Sequence, residues 1–215
     1  PSEENPYPGL AIAPSSAANP DLTWEKTSQY NVGVDLAMFN SRLMVNVDAY
    51  YKHTKDLLLT VTLPSNVNLP GGVTRNDGEM VNKGLELAIS SKNFVGEFKW
   101  STDFNISFNK NKLTKLGLSK VYYFAETYTT GQSAVILKEN LPVGTFFGYK
   151  SLGVDPETGD IMYEDVSGNG TVGLEDRTTI GCAQPKFTYG LTNDFSWKGI
   201  TLSVFLQGSY GNQIF

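Results

Sequence analysis

The sequence of 215 residues has one cysteine, Cys182, and one histidine, His53. A lone cysteine closes no internal disulfide and builds no cysteine-based zinc site, so it leaves the compartment open. His53 has no serine or cysteine partner suggested by its surroundings, and no acid–base pair of carboxylates stands out; the expectation is a protein that is not an enzyme. There is no run of about 20 apolar residues of the kind a membrane-crossing helix needs. Mean hydropathy is -0.23. That excludes a helical span but not a membrane barrel, whose strands alternate in polarity and keep the average low. Basic residues are not in excess: 17 Lys and Arg stand against 22 Asp and Glu, a net charge of -5, so there is no electrostatic case for nucleic acid. Neither an initiating methionine nor a signal-like leader precedes Pro1, which suggests part of a longer chain. Residues 1–18, rich in Pro, Ser and Ala, are expected to form a loop or strand-connecting segment.

What the chain does have is aromatic residues, 12% of the total, and strict alternation. In residues 187–210, Phe187, Tyr189, Leu191, Phe195 and Trp197 fall on one side of an extended segment. Ile200, Leu202, Val204, Leu206 and Tyr210 fall on one side of the next. Side chains alternate across a strand with a period of two, so this is a two-faced hairpin turning at Lys198-Gly199. Trp197 is then opposite Ile200, Phe195 opposite Leu202, and Leu191 opposite Leu206. Asn193 on the apolar side and Phe205 on the polar side break the pattern.

A second hairpin is expected over 26–39 and 42–53, turning at Asn40-Ser41, with Met38 opposite Leu43, Leu36 opposite Val45, and Tyr30 opposite Tyr51. A third is expected over 82–91 and 97–109. Residues 54–81 and 110–184 read as long connections. Within them, 57–63 can extend a strand beyond the sheet, 144–154 is expected to be extended, and 155–160 is a turn with Pro156 at a favoured position.

Short turns at one end of the sheet and long connections at the other are the signature of an outer-membrane barrel. The apolar sides are also banded. Phe98, Trp100, Phe195 and Trp197 lie near the short turns, and Tyr30, Tyr51, Phe108, Phe187, Tyr189 and Tyr210 near the long connections, with aliphatic residues between. Two aromatic girdles around an aliphatic waist would produce this. A soluble antiparallel sandwich also alternates, but its strands run to about 5–6 residues. Asp35, Asp48, Asp103 and Asp194 fall on polar strand sides, where hydrogen-bonded networks are expected.

One motif has the spacing of a calcium loop. Asp165, Ser167, Asn169 and Asp176 occupy positions 1, 3, 5 and 12, Gly170 takes the sixth-position turn, and Thr171 offers a backbone carbonyl. With two carboxylates and Asp at position 12, the ligand set is thin, and a Gly/Asn-rich turn that needs no ion is the competing reading. Otherwise no cofactor is expected. Tyr122, Tyr123, Phe124 and Tyr128 are candidate loop aromatics for stacking on sugars or touching a partner, or for packing the loop.

Six segments in order resemble the late barrel region of the SusC/RagA family of TonB-dependent outer-membrane transporters: NPDLTWEKT (19–27), NKGLELAIS (82–90), FKWSTDFNISFNKNKLTKL (98–116), PVGTFFGYKSLGVDPETGDIMYED (142–165), DRTTIG (176–181) and PKFTYGLTNDFSWKGITLSVFLQGSYGNQIF (185–215). The resemblance implies that 19–215 is part of an all-β, antiparallel, up-and-down transmembrane barrel, with the plug and terminal strands outside the sequence. It further implies import of glycans or peptides across the bacterial outer membrane, energised through TonB, together with a SusD-like surface lipoprotein and surrounded by lipid. The alternative is a soluble or surface-bound β-rich carbohydrate-binding or adhesin module.

Overall fold

The computed structural model describes residues 17–61, 72–117, 120–126 and 132–214, the side chains of 124–126 excepted. Six long strands carry the alternating pattern: β1 (Lys26–Met38), β2 (Leu43–Val61), β3 (Val73–Val95), β4 (Phe98–Leu116), β11 (Phe187–Trp197) and β12 (Ile200–Tyr210). They pair in the order β1-β2-β3-β4-β11-β12, every pair antiparallel. This is an open stretch of up-and-down sheet. The expected registers hold: Met38 faces Leu43, Leu36 faces Val45 and Tyr30 faces Tyr51, while Trp197 faces Ile200, Phe195 faces Leu202 and Leu191 faces Leu206. A one-residue slip would exchange every apolar side chain for a polar one, so the pattern and the short turns fix the register together.

Two of those turns use left-handed backbone. Lys198 (φ 46°) and Gly199 (φ 83°) give the twist a two-residue hairpin needs. At the β1–β2 turn, Phe39, Asn40 and Ser41 are all left-handed, with φ of 55°, 56° and 59°. Arg42 fastens this turn, its backbone N–H donating to the carbonyls of Met38 (3.1 Å) and Phe39 (3.3 Å). Its guanidinium reaches across to the Lys92 and Asn93 carbonyls at the end of β3.

The strands are longer than the sequence pattern indicated. Residues 54–81 are not simply a connection: after a bulge at Asp56 (φ 59°), Leu57 to Val61 pair with Gly78 to Val73 inside the sheet. Likewise β4 continues through Leu116, opposite Gly78. The middle strands therefore run well past β11 and β12 at the long-connection end. The 110–184 stretch, expected as a connection, contains a second sheet in the order β10-β7-β6-β5. Its strands are β5 (Val121–Glu126), β6 (Ser133–Lys138), β7 (Thr145–Gly148) and β10 (Thr178–Cys182). Cys182, expected in a loop, instead ends β10. The extended 144–154 stretch divides into β7 and β8 (Ser151–Val154); β8 makes a small hairpin with β9 (Ile161–Tyr163) around the expected 155–160 turn. There the Asp155 carbonyl accepts from Gly159 N–H at 2.9 Å.

Among the described residues, the buried apolar side chains are Leu113, Leu116, Ala134 and Ile136. All four sit where the end of β4 meets the small sheet. The large sheet covers no core on either face: Val32, Val34, Leu36, Leu202, Val204 and Leu206 are exposed. A sheet with a largely apolar, uncovered face is built for surroundings other than water.

Candidate functional site: the two faces of the large sheet and the loop above it

Alternation from residue 26 to residue 210 sorts the six strands into two surfaces. The apolar face takes the even positions of β1, β4 and β12 and the odd positions of β2, β3 and β11. Up to Lys55 on β2, and between Val81 and Ser91 on β3, it holds no Asp or Glu; nor does it on β1, β11, β12 or from Phe98 to Lys112 on β4. The carboxylates Asp35, Asp48, Glu86, Asp103 and Asp194 are all on the opposite face.

Ring contacts make the banding continuous. Near the short turns, Phe94 is 5.9 Å from Phe98 and 5.8 Å from Trp100, and Trp100 is 5.8 Å from Phe195. Near the long connections, Phe108 is 5.7 Å from Phe187, which stacks on Tyr210 at 5.2 Å. Phe94 joins its cluster because a bulge in β3 between Lys92 and Phe94 reverses the alternation there, which sequence periodicity alone does not reveal. At about 3.3 Å per residue and a tilt of about 40°, the interval from Phe98 to Phe108 projects to about 25 Å, the height of a membrane barrel's apolar band.

Asn193, the polar exception on this face, is satisfied within it. Its Oδ1 accepts from Trp100 Nε1 at 3.0 Å and from Thr102 Oγ1 at 2.7 Å. Thr102 in turn accepts from Asn93 Nδ2 at 2.9 Å, and Asn93 accepts from Ser91 Oγ at 3.0 Å. The chain of bonds removes the cost of placing bare polar atoms on an apolar surface. Phe205, the apolar exception, lies on the polar face and is 60% exposed.

The polar face forms cross-strand hydrogen bonds at two of the four expected carboxylates, Asp35 and Asp103, and none is seen at Asp48 or Asp194 among the described residues. Asn46 donates to Asp35 at 2.5 Å, Ser90 to Asp103 at 2.5 Å, and Asn111 to Asn82 at 2.7 Å. Tyr50 lies across Gly84, where any Cβ would collide with its ring, and its hydroxyl donates to Asn109 at 3.0 Å. Beyond the bands, His53 Nε2 is 3.0 Å from Glu79, which also pairs with Lys115 at 3.7 Å. His53 thus has a carboxylate partner that sequence spacing did not suggest.

The structure brings Asp165, Ser167, Asn169, Thr171 and Asp176 together in one loop. Asp165 Oδ1 accepts from Ser167 Oγ (3.1 Å) and from the N–H groups of Gly168 (2.6 Å) and Asn169 (3.3 Å); its Oδ2 accepts from Gly170 N–H (2.7 Å). Asn169 Oδ1 accepts from Thr171 N–H and Oγ1 at 2.8 and 2.9 Å. Asp176, fully buried, sits in a single 3-10 turn, Leu174–Asp176. It accepts from Gly173 N–H at 2.7 Å and Ser167 N–H at 2.8 Å. Those two backbone donors, Gly173 first, hold its carboxyl below the ordinary value of 3.8. Oxygen is the donor type calcium takes, but both carboxylates are already held by the loop's own N–H groups. No group of three or more His, Cys, Asp or Glu is placed for a metal among the described residues. Arg177 ties the loop to the small sheet, donating to the Ser133 and Phe147 carbonyls and lying 4.8 Å over the Phe147 ring.

Of the loop aromatics, Tyr122 donates to Asp77 at 3.2 Å. Tyr123 packs 5.7 Å from Phe147 and stays 55% exposed. Tyr128 and the side chain of Phe124 lie outside the described residues.

Known proteins share both sequence and geometry with this chain. TonB-dependent receptor P3 of Formosa agariphila is 35% identical over 92% of this chain and 21% of its own length. The TonB-dependent receptor SusC of Bacteroides thetaiotaomicron is 31% identical, over 93% of this chain and 21% of its own length. Among solved structures, the RagAB peptide importer in its "open-open" state superimposes with a TM-score of 0.78 at 28% identity, over 92% of this chain and 22% of that one. The chain spans about a fifth of the length of these relatives. The family profile "TonB dependent receptor-like, beta-barrel" matches residues 4–214, and the chain belongs to that family.

Proposed function

We propose that the protein containing this chain is a TonB-dependent transporter of the outer membrane and that the six long strands form part of its barrel wall. The observation that carries this reading is the division of one sheet into an acid-free apolar face and a carboxylate-bearing polar face, across a width that matches a bilayer. The apolar face would lie against lipid and the polar face toward the lumen. Its cargo is proposed to be glycans or peptides, taken up together with a SusD-like surface lipoprotein and driven by TonB acting on parts of the protein outside this chain. The likenesses to SusC and to the RagAB peptide importer support this. The chain's own share is structural: it spans, holds a polar lumen surface, and carries loops at one end. The test uses the full-length protein. Deleting its gene should abolish uptake of one labelled class, oligosaccharide or peptide, and the tagged protein should co-purify with a surface lipoprotein. A full-length protein that stays monomeric in buffer without detergent would overturn the reading.

For the loop around Asp165, we propose closure by its own N–H groups rather than by calcium. This rests on the donors already seated on Asp165 and Asp176. Melting the full-length protein with calcium and with chelator separates the two. Identical midpoints support self-closure; a higher midpoint with calcium restores the metal reading for Asp165, Ser167, Asn169, Thr171 and Asp176.

A further inference from the structure

The apolar face changes character just above its outer aromatic band. Lys83 on β3 lies directly opposite Lys110 on β4. Two residues further along β4, on the same face, is Lys112; Lys186, immediately before Phe187, has the opposite parity to the apolar side chains of β11 and only borders the same cleft from the strand's end. All four are exposed. These lysines share one open cleft of about 860 Å³ with Leu85 and Phe108. None makes an ion pair among the described residues.

Like charges directly opposite in a sheet repel. The carboxylates that could neutralise them are on the other face, at Asp35, Asp48, Glu86, Asp103 and Asp194. At the same end of the sheet, Glu79 is already engaged by His53 and Lys115, and Glu139 accepts from the Leu116 N–H at 2.9 Å. The pattern repeats on the flank, where Lys26 faces Lys55 and Lys26 turns to Asp56 at 3.5 Å. The short-turn end has no matching group: from Phe98 to Phe108 on β4, and throughout β11 and β12, the apolar face carries no lysine. Lys83, Lys110 and Lys112 are therefore confined to one end of the lipid-facing surface, and are continuous below with Leu85, Leu87 and Phe108.

We propose that Lys83, Lys110 and Lys112 bind the phosphorylated headgroup of a lipid in the leaflet at the long-loop end, with its acyl chains running down over Leu85, Leu87 and Phe108. A phosphate supplies the negative charge this surface lacks, accepts from several ammonium groups at once, and relieves the Lys83–Lys110 opposition. The attached chains explain why the cations sit on the membrane side rather than on the loops. The inference rests on the apolar face lying in lipid, as proposed above.

The test uses the full-length protein in uncharged detergent, comparing wild type with the Lys83→Gln/Lys110→Gln/Lys112→Gln variant. The probes are bisphosphorylated lipid A, the same lipid with its phosphates removed, and inorganic phosphate. Bound lipid is counted by native mass spectrometry and the thermal midpoint is read alongside. Wild type should retain lipid A on the order of tenfold better than the variant, given three lysines near a charged headgroup. It should also retain it better than the dephosphorylated form, with a loss as salt rises. Without lipid, the variant should melt no lower than wild type, because its like-charge contact is gone. Equal retention by variant and wild type, or equal retention of the dephosphorylated lipid, overturns the site. A midpoint shift of equal size with inorganic phosphate overturns the lipid as its source. These outcomes leave the barrel itself standing; its failure would show separately, as solubility without detergent.

Discussion

The two sheets of this chain solve the problem of apolar surface in opposite ways. The four-stranded sheet, with strands of at most six residues, buries Ala134 and Ile136 and shelters the end of β4 at Leu113 and Leu116. The six-stranded sheet, with strands of up to 23 residues, leaves Val32, Leu36, Leu202 and Leu206 bare. In the first, apolar atoms are hidden from water by protein. In the second, alternation keeps them together on a face that something else must cover. The contrast separates folding against a core from folding against a solvent.

The largest test of this contrast lies at the small sheet. Ile136→Ala and Leu116→Ala should each cost about 2–5 kcal/mol, since both side chains are buried against protein. Denaturant unfolding should report a similar loss in detergent and in bilayer. Val204→Arg, on the exposed face, should cost about 2–4 kcal/mol, and only in a bilayer. Ser203→Arg, one position away on the other face, should stay within about 0.5 kcal/mol; equal effects at 203 and 204 would erase the distinction between faces. Asn193→Ala should cost about 1–3 kcal/mol by leaving the Trp100 and Thr102 donors without their acceptor. Unfolding of lipid-reconstituted protein, together with the indole fluorescence of Trp100, reads this change. The smallest effect belongs to the loop. Because its N–H donors depress the Asp176 carboxyl, the stability they lend is fully present above pH 3.8 and is lost as pH falls through the lower folded-state value. Hydrogen exchange at Ser167 and Gly173 should accelerate only in that acid window.

The large sheet was readable because three short turns and a strict period of two leave one register for each hairpin. Leu36 against Val45 and Trp197 against Ile200 follow from counting outward from the turn. Counting failed where the environment stops being two-sided. Thr74, Arg75 and Asn76 pair in β3, yet show no apolar alternation, because that part of the strand extends beyond the aromatic bands. The small sheet was hidden for another reason. Its strands are short, and β10 pairs with β7 across some thirty residues, as Thr178 with Gly148, a distance no local pattern spans. The calcium-like spacing at 165–176 was legible, but spacing does not reveal that backbone N–H groups have already taken the carboxylate oxygens.

The pairing of β4 with β11 bears on how the wall is assembled. Ser107 and Thr188 are neighbours in the sheet, but the whole small sheet lies between them in the chain, whereas every other neighbouring pair in the large sheet is consecutive in sequence. Closing a loop of about 80 residues instead of about four adds roughly 2–3 kcal/mol of ordering entropy, so the two flanking meanders should zip first and this seam last. A late seam between two preformed edges can lock in the wrong alignment. Asn193 sits on it, and its side chain is satisfied by Trp100 and Thr102 only when the two edges meet in the observed alignment. A polar residue that disturbs the apolar surface therefore serves as the latch that tells a correct closure from one shifted by a residue.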